Sequence, residues 1–268
     1  MFRNLPPVTK NLLLLNVTLY IVSIVLAQRQ IFLDDFLSVH YFNSVFFEPY
    51  QLITHMFMHS KESFFHILFN MLILVMFGGH LERLWGAKKF FIFYFACGIG
   101  ALILYNSIGV WQIMELKPIL ESTGNNISDI DYLITGNKLN IYGTAGEFWG
   151  SVKENIELGN LSPNTFKEYA ALIDYVSLNN SSMLGASGAL FGVLAGFGVL
   201  FPNTQLMLLF PPIPIKAKYL IGGYLAFEVY NSLTQPHDQV AHLAHVGGAI
   251  VGIIFILIWR KRDRKNFW

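Results

Sequence analysis

Residues 185–201 read Gly-Ala-Ser-Gly-Ala-Leu-Phe-Gly-Val-Leu-Ala-Gly-Phe-Gly-Val-Leu-Phe, and no charge occurs anywhere in 183–210. A continuous apolar run this long is too long for a buried strand, and it carries small residues at intervals of four, Gly188, Gly192 and Gly196. That spacing puts the glycines on one face of a helix, where they let a second backbone approach closely inside a membrane. Pro202-Asn203 ends the run. The rest of the chain has the same character. Of 268 residues, 54% are hydrophobic and 13% charged, against about 25% charged in an ordinary soluble domain. So little charge cannot cover a water-facing surface, and the aromatic content excludes a disordered chain.

A membrane-crossing helix needs about 20 mainly apolar residues. Six runs qualify: 11–27, 66–84, 90–110, 185–201, 217–233 and 240–259. Alternating ten-residue strands are missing, so the expected fold is an all-α membrane protein, a six-transmembrane-helix bundle forming one domain over 1–268. With both termini on one side, that side holds 12 of the 18 Lys and Arg, including Arg83, Lys88, Lys89 and the tail Arg260 to Lys265. The excess predicts cytoplasmic termini and an integral multi-pass protein of a bacterial inner membrane. Val25-Leu26-Ala27 imitates a signal-peptide cleavage site, but an uncleaved first helix preserves the charge bias.

Two outer connections are long. Residues 28–65 carry Phe46, Phe47, Pro49 and Tyr50, as interfacial loops do. Residues 109–184 form an extracytoplasmic insertion between the third and fourth spans, with nine acidic residues against four Lys. It is too long for a plain connector and reads as an exterior cap or a partly disordered segment. The inner linker Pro211-Pro212-Ile213-Pro214 reads as a stiff turn. The single Cys97 supports neither a disulfide nor a metal framework, and a net charge of +1 gives no nucleic-acid signal. Phe90, Phe91, Phe93, Tyr94 and Phe95 read as lipid-facing aromatics.

Polar groups inside spans are functional candidates, because lipid makes them costly. His66 and Asn70 share a face of the second span, Ser187 opens the fourth, and His242 and His245 open the sixth. All three spans run from outside inward. His66, Ser187 and His245 therefore lie within a turn or two of the outer surface, at one depth. Ala244, Gly248 and Gly252 form a second small-residue stripe that could face the first. A serine hydroxyl needs a base to become a nucleophile, and an imidazole suits that role. The Ser187 N–H, the Asn70 amide and the His66 ring are candidate oxyanion donors. Phe191, four residues after Ser187, is placed to stack on His245. No carboxylate stands out as a partner for His245, so a dyad is expected. Glu228 and Asn231 read as a water-exposed rim, and Glu82 and Arg83 as structural.

These residues together resemble the rhomboid family of intramembrane serine proteases. The resemblance rests on His66-Ile67-Leu68-Phe69-Asn70, Gly185-Ala186-Ser187-Gly188, and Ala244-His245-Val246-Gly247-Gly248 with Gly252, supported by Gly79-His80-Leu81-Glu82. It implies Ser187 as nucleophile, His245 as general base, and His66, Asn70 and the Ser187 N–H as oxyanion hole. Gly185, Gly188 and Gly248 would be packing residues that permit the site. Substrates would be transmembrane proteins admitted sideways and cut near their outer end, with the fifth span and Thr234 to Gln239 as mobile elements. No cofactor or metal is implied, no nucleic acid is a partner, and the oligomeric state stays open. His59 and His66 are spaced more widely than in many members, and the Trp-Arg pair common in the first loop is missing. Two other classes are to be weighed: a metal site built on His55-x3-His59 or His242-x2-His245, and a catalytically silent relative that binds transmembrane helices.

Overall fold

The computed structural model describes residues 4–61, 63–122, 124–136, 145–158, 161, 166–207, 212–234 and 242–262. Nine helices of nine residues or more follow one another along these described residues: α1 (Pro7–Ala27), α2 (Phe64–Trp85), α3 (Ala87–Glu121), α4 (Ile127–Thr135), α5 (Ala145–Glu157), α6 (Phe166–Asn180), α7 (Ser187–Leu200), α8 (Ala217–Thr234) and α9 (His242–Arg262). Short helices at Leu33–Leu37 and Gln51–Thr54 lie in the first long connection. The chain is thus a mostly helical membrane protein. Its longer helices start and stop within a few residues of the apolar runs, except that α3 continues well past 110.

Among the described residues, four helices are long and apolar enough to cross a membrane: α1, α2, α3 and α9. The expected count of six is not reached on length and composition. α7 has 14 residues, about 21 Å of rise, short of a hydrocarbon core of about 30 Å. It is also buried almost all round, including Gly188, Leu190, Phe191, Val193 and Phe197. A helix enclosed by other helices need not match the lipid itself. α8 contains Lys218, Glu228 and Asn231, which lower its hydropathy. α3, with 35 residues, is about 52 Å long by the same rise. Pro118 lies inside α3, where it removes the one N–H bond that would reach the Met114 carbonyl.

The chain divides into two compact units, one made of residues 1–38, 52–105 and 183–268, the other of 39–51 and 106–182. In the first, α1 is patterned inside out. Thr9, Leu12, Asn16 and Ser23 are buried while Leu14, Leu15, Ile21, Val22 and Val25 are exposed, as suits a helix with lipid outside and helices within. Its N-terminus is held by the buried Glu82 carboxylate of α2. Glu82 accepts from the Val8 N–H at 2.8 Å, the Thr9 N–H at 2.7 Å and the Thr9 hydroxyl at 2.7 Å. Orphan donors of a helix start are thereby satisfied by an anion, where the helix dipole favours one. α2 has a π-helical stretch at Leu74–Gly78.

The aromatics of α3 divide by helical period rather than facing lipid together. Phe90, Phe93 and Tyr94 are fully buried and Phe91 is exposed. Beyond α7 the linker is not a plain turn. β1 (Gln205–Met207) pairs antiparallel with β2 (Pro214–Lys216), placing Pro214 opposite Met207. Pro211, residues 235–239 of the expected mobile loop, and tail residues 263–265 lie outside the described residues.

The second unit contains the expected insertion. Within it lie the end of α3 and α4, α5 and α6, where Ile113, Leu120, Ile130, Leu133, Val152 and Val176 are buried. Asn126 caps α4 through its side chain, an ordinary reason for Asn at that position. The Tyr175 hydroxyl donates to Asp131 at 2.8 Å, and Asn106 Oδ1 accepts from the Phe42 N–H at 2.8 Å.

Candidate functional site

All the residues singled out in the spans fall in the first unit. α7 and α9 meet along the two glycine stripes. A β-carbon on Gly248 would overlap the Gly188 carbonyl, and one on Gly252 would lie 2.6 Å from the Gly192 carbonyl oxygen. Two backbones this close bring side chains at the N-terminal ends of α7 and α9 within reach of each other. Ser187 Oγ lies 2.9 Å from His245 Nε2. Phe191 stacks on the His245 ring, 4.1 Å between centroids and 13° between planes.

The other nitrogen of His245 faces a carboxylate. Its Nδ1 is 2.7 Å from Glu228 Oε2, and His242 Nδ1 is 2.7 Å from the same oxygen. Glu228, His242 and His245 are all buried. This corrects two expectations: Glu228 is not a water-exposed rim, and His245 does have a carboxylate partner within the spans. The misreading came from taking Glu228 by its nearness to the helix end. A better signal is the helical stripe Ala217, Ile221, Glu228 and Asn231, the buried residues of α8. Phe227, Val229, Tyr230 and Leu233 are exposed around it. A helix that exposes its large apolar residues and buries its one carboxylate is presenting that carboxylate to other helices.

These contacts fix protons. An ionised carboxylate only accepts, so a neutral His245 facing it would carry its hydrogen on Nδ1 and keep on Nε2 the lone pair that accepts from the Ser187 hydroxyl. His66 is set the opposite way. Its Nδ1 accepts from the Ser60 N–H at 3.2 Å, which leaves Nε2 as a donor. A β-carbon on Gly185 would lie 3.3 Å from His66 Nε2 and 3.5 Å from Ser187 Oγ. The donor edge of His66 and the hydroxyl thus flank one glycine. Gly185 has φ of +122°, a conformation that favours glycine, and its N–H donates to the His55 carbonyl at 2.8 Å.

Asn70 is buried one turn along α2 from His66, and its Nδ2 has no partner among the described residues. A buried amide donor without an acceptor is costly and suits a group that gains charge only transiently. Gly188 leaves room for Ala101 of α3. A cavity of about 10 Å³, lined by Gly98, Ala101, Gly185, Ser187, Ala189 and Ala244 among others, is of the order of one water. His59 is buried, its ring 5.3 Å from that of His66. Burial, then the neighbouring His66, pushes its pKa down to about 4.

Glu228, His242 and His245 are the one metal-type cluster among the described residues. Their 2.7 Å contacts are hydrogen-bond lengths, shorter than the edge of about 3.3 Å between ligands around tetrahedral zinc. His55 and His59 form no such cluster.

The model of the Rhomboid domain matches residues 47–112 and 166–262, more than half of the chain. The protein belongs to the rhomboid family. The matched range contains every motif quoted above and passes over 113–165. Among similar proteins, Rhomboid protein 1, mitochondrial, of Saccharomyces cerevisiae is 36% identical over 72 residues, 27% of this chain and 20% of that protein. Presenilin-associated rhomboid-like protein A, mitochondrial, of Danio rerio is 35% identical over 92 residues, 32% of this chain and 24% of that protein. The match thus spans about a quarter or less of those relatives. Both are mitochondrial by name, so the expected bacterial inner membrane draws no support from them.

Proposed function

We propose that this rhomboid is an intramembrane serine endopeptidase that cuts transmembrane proteins near the outer end of their span. The reading rests above all on the 2.9 Å contact between Ser187 Oγ and His245 Nε2. Ser187 Oγ attacks the scissile carbonyl carbon while its proton passes to His245 Nε2. The carbonyl π-electrons move onto oxygen, where the Ser187 N–H, His66 Nε2–H and the Asn70 amide stabilise the charge. Collapse breaks the C–N bond, and the Nε2 proton leaves with the amine. Water then attacks the acyl carbon as His245 takes its proton, the bond from that carbon to Ser187 Oγ breaks, and the Nε2 proton returns to Oγ, releasing the carboxylate product. Gly185, Gly188 and Gly248 hold the groups at this separation, and Phe191 holds the ring.

In this reading α7 and α8 complete a bundle of six helices with both termini on the side rich in Lys and Arg. The substrate enters from the lipid past α8, with no cofactor. The test is cleavage of a single-span substrate by the purified protein in bilayers. Ser187→Ala and His245→Ala each lose cleavage by about 10³-fold or more while still folding. Wild-type protein that binds the substrate helix and never cuts it contradicts the reading and identifies a helix-binding relative.

A further inference from the structure

We propose that Glu228 is a positioning residue for the base, so that the site works as Glu228–His245–Ser187, with His242 clamping the carboxylate. This rests on the protease reading and deepens it. A lone carboxylate in a span is expensive, and a buried one is tolerated only when its charge is matched by donors. Glu228 meets both conditions. It is 3% exposed, and two imidazole N–H groups converge on Oε2 at 2.7 Å each. An oxygen that accepts twice cannot swing away from His245 without also leaving His242.

The consequence is directional. With Nδ1–H bound to Glu228, the lone pair of His245 must lie on Nε2, facing Ser187. When the serine proton arrives, the ring becomes an imidazolium beside an anion already in place, and no proton need pass to Glu228. A simple structural tie between α8 and α9 would be served by His242 alone and would not need His245 in the same contact. Glu228 also comes from a different element than the pair it serves. Ser187 and His245 are fixed to each other by the glycine contacts of α7 and α9, whereas the carboxylate arrives on α8. The base is therefore fully oriented only while α8 is docked against α9.

The experiment compares wild type with Glu228→Gln in bilayers, by steady-state cleavage and by ¹⁵N NMR of histidine-labelled protein. Glutamine can present an N–H to Nδ1, which moves the ring proton to Nε2 and removes the acceptor. The expected result is a fall in kcat of about 10²-fold or more with KM within about twofold, and an His245 signal that changes from the Nδ1–H to the Nε2–H form. Full kcat in Glu228→Gln, with wild type active, overturns the proposal and leaves the protease reading standing. If the variant does not fold, the wild-type spectrum decides alone: His245 protonated at Nε2 and not at Nδ1 overturns the proposal, and Nδ1–H supports it. A wild type that never cleaves contradicts the protease reading instead.

Discussion

His66 and His245 are the same residue type set to opposite tasks by one hydrogen bond each. The Ser60 N–H at Nδ1 leaves His66 a donor at Nε2. A carboxylate at Nδ1 makes His245 an acceptor. The residue types and their places on the helices were legible from the sequence, because polar groups in apolar runs are few. The tautomers were not, since they depend on Ser60 and Glu228, partners that no spacing rule assigns. Asn70 has the clearest single-residue consequence. Its Nδ2 lacks a partner among the described residues, so Asn70→Ala leaves nothing unsatisfied in the resting protein. It should lower kcat by about 10²-fold, the usual cost of one oxyanion donor, with an unchanged melting temperature. A large loss of stability in that variant would make Asn70 structural instead.

Glycine carries the argument at the level of helices. The stripes on α7 and α9 were legible as intervals of four, and the structure shows what they do: a β-carbon on Gly192, Gly248 or Gly252 would strike backbone of the facing helix, which cannot rotate out of the way, while Gly188 and Gly196 make room for Ala101 and Phe93 of α3. Gly248→Ala therefore forces α7 and α9 apart. A displacement of about 1 Å is enough to cost 10²-fold in rate, so cleavage should fall at least that far while the variant still inserts. Wild-type cleavage rates in Gly248→Ala would show that α7 and α9 tolerate separation. The start of α1 depends on Glu82 in a similar way. Glu82→Gln replaces one acceptor oxygen by a donor facing the Val8 and Thr9 groups, and should destabilise the fold by about 2–4 kcal/mol, read as a lower melting temperature. α8 was located by its apolar run 217–233, which ends one residue short of the helix. Its hydropathy is diluted by the buried Glu228 and Asn231, so it falls short of a span on composition.

On the scale of the whole chain, composition announced a membrane protein, and the runs located its longer helices. It did not reveal that α7 is too short to cross on its own, because a linear scan cannot tell a lipid-facing helix from one enclosed by protein. Nor did it place the end of α3, which outlasts its apolar run and belongs to the second unit. Acid should weaken the fold in a defined window. His59 stays neutral in the folded protein down to about pH 4, whereas in the unfolded chain it takes up a proton near pH 6.5. Its depressed pKa means stability is full above pH 6.5 and is lost as pH falls from 6.5 to 4. The loss is at most about 3 kcal/mol. Melting temperature measured across that window should fall less steeply in His59→Met than in wild type. Equal slopes would remove His59 from the account.

The central claim is tested most directly by reacting the bilayer-embedded protein with a fluorophosphonate probe and mapping the modified residue by mass spectrometry. A single adduct on Ser187 is expected, formed at least ~10²-fold more slowly when His245 is replaced by alanine. An adduct at another serine, or an equal rate on Ser187 in His245→Ala, would contradict it.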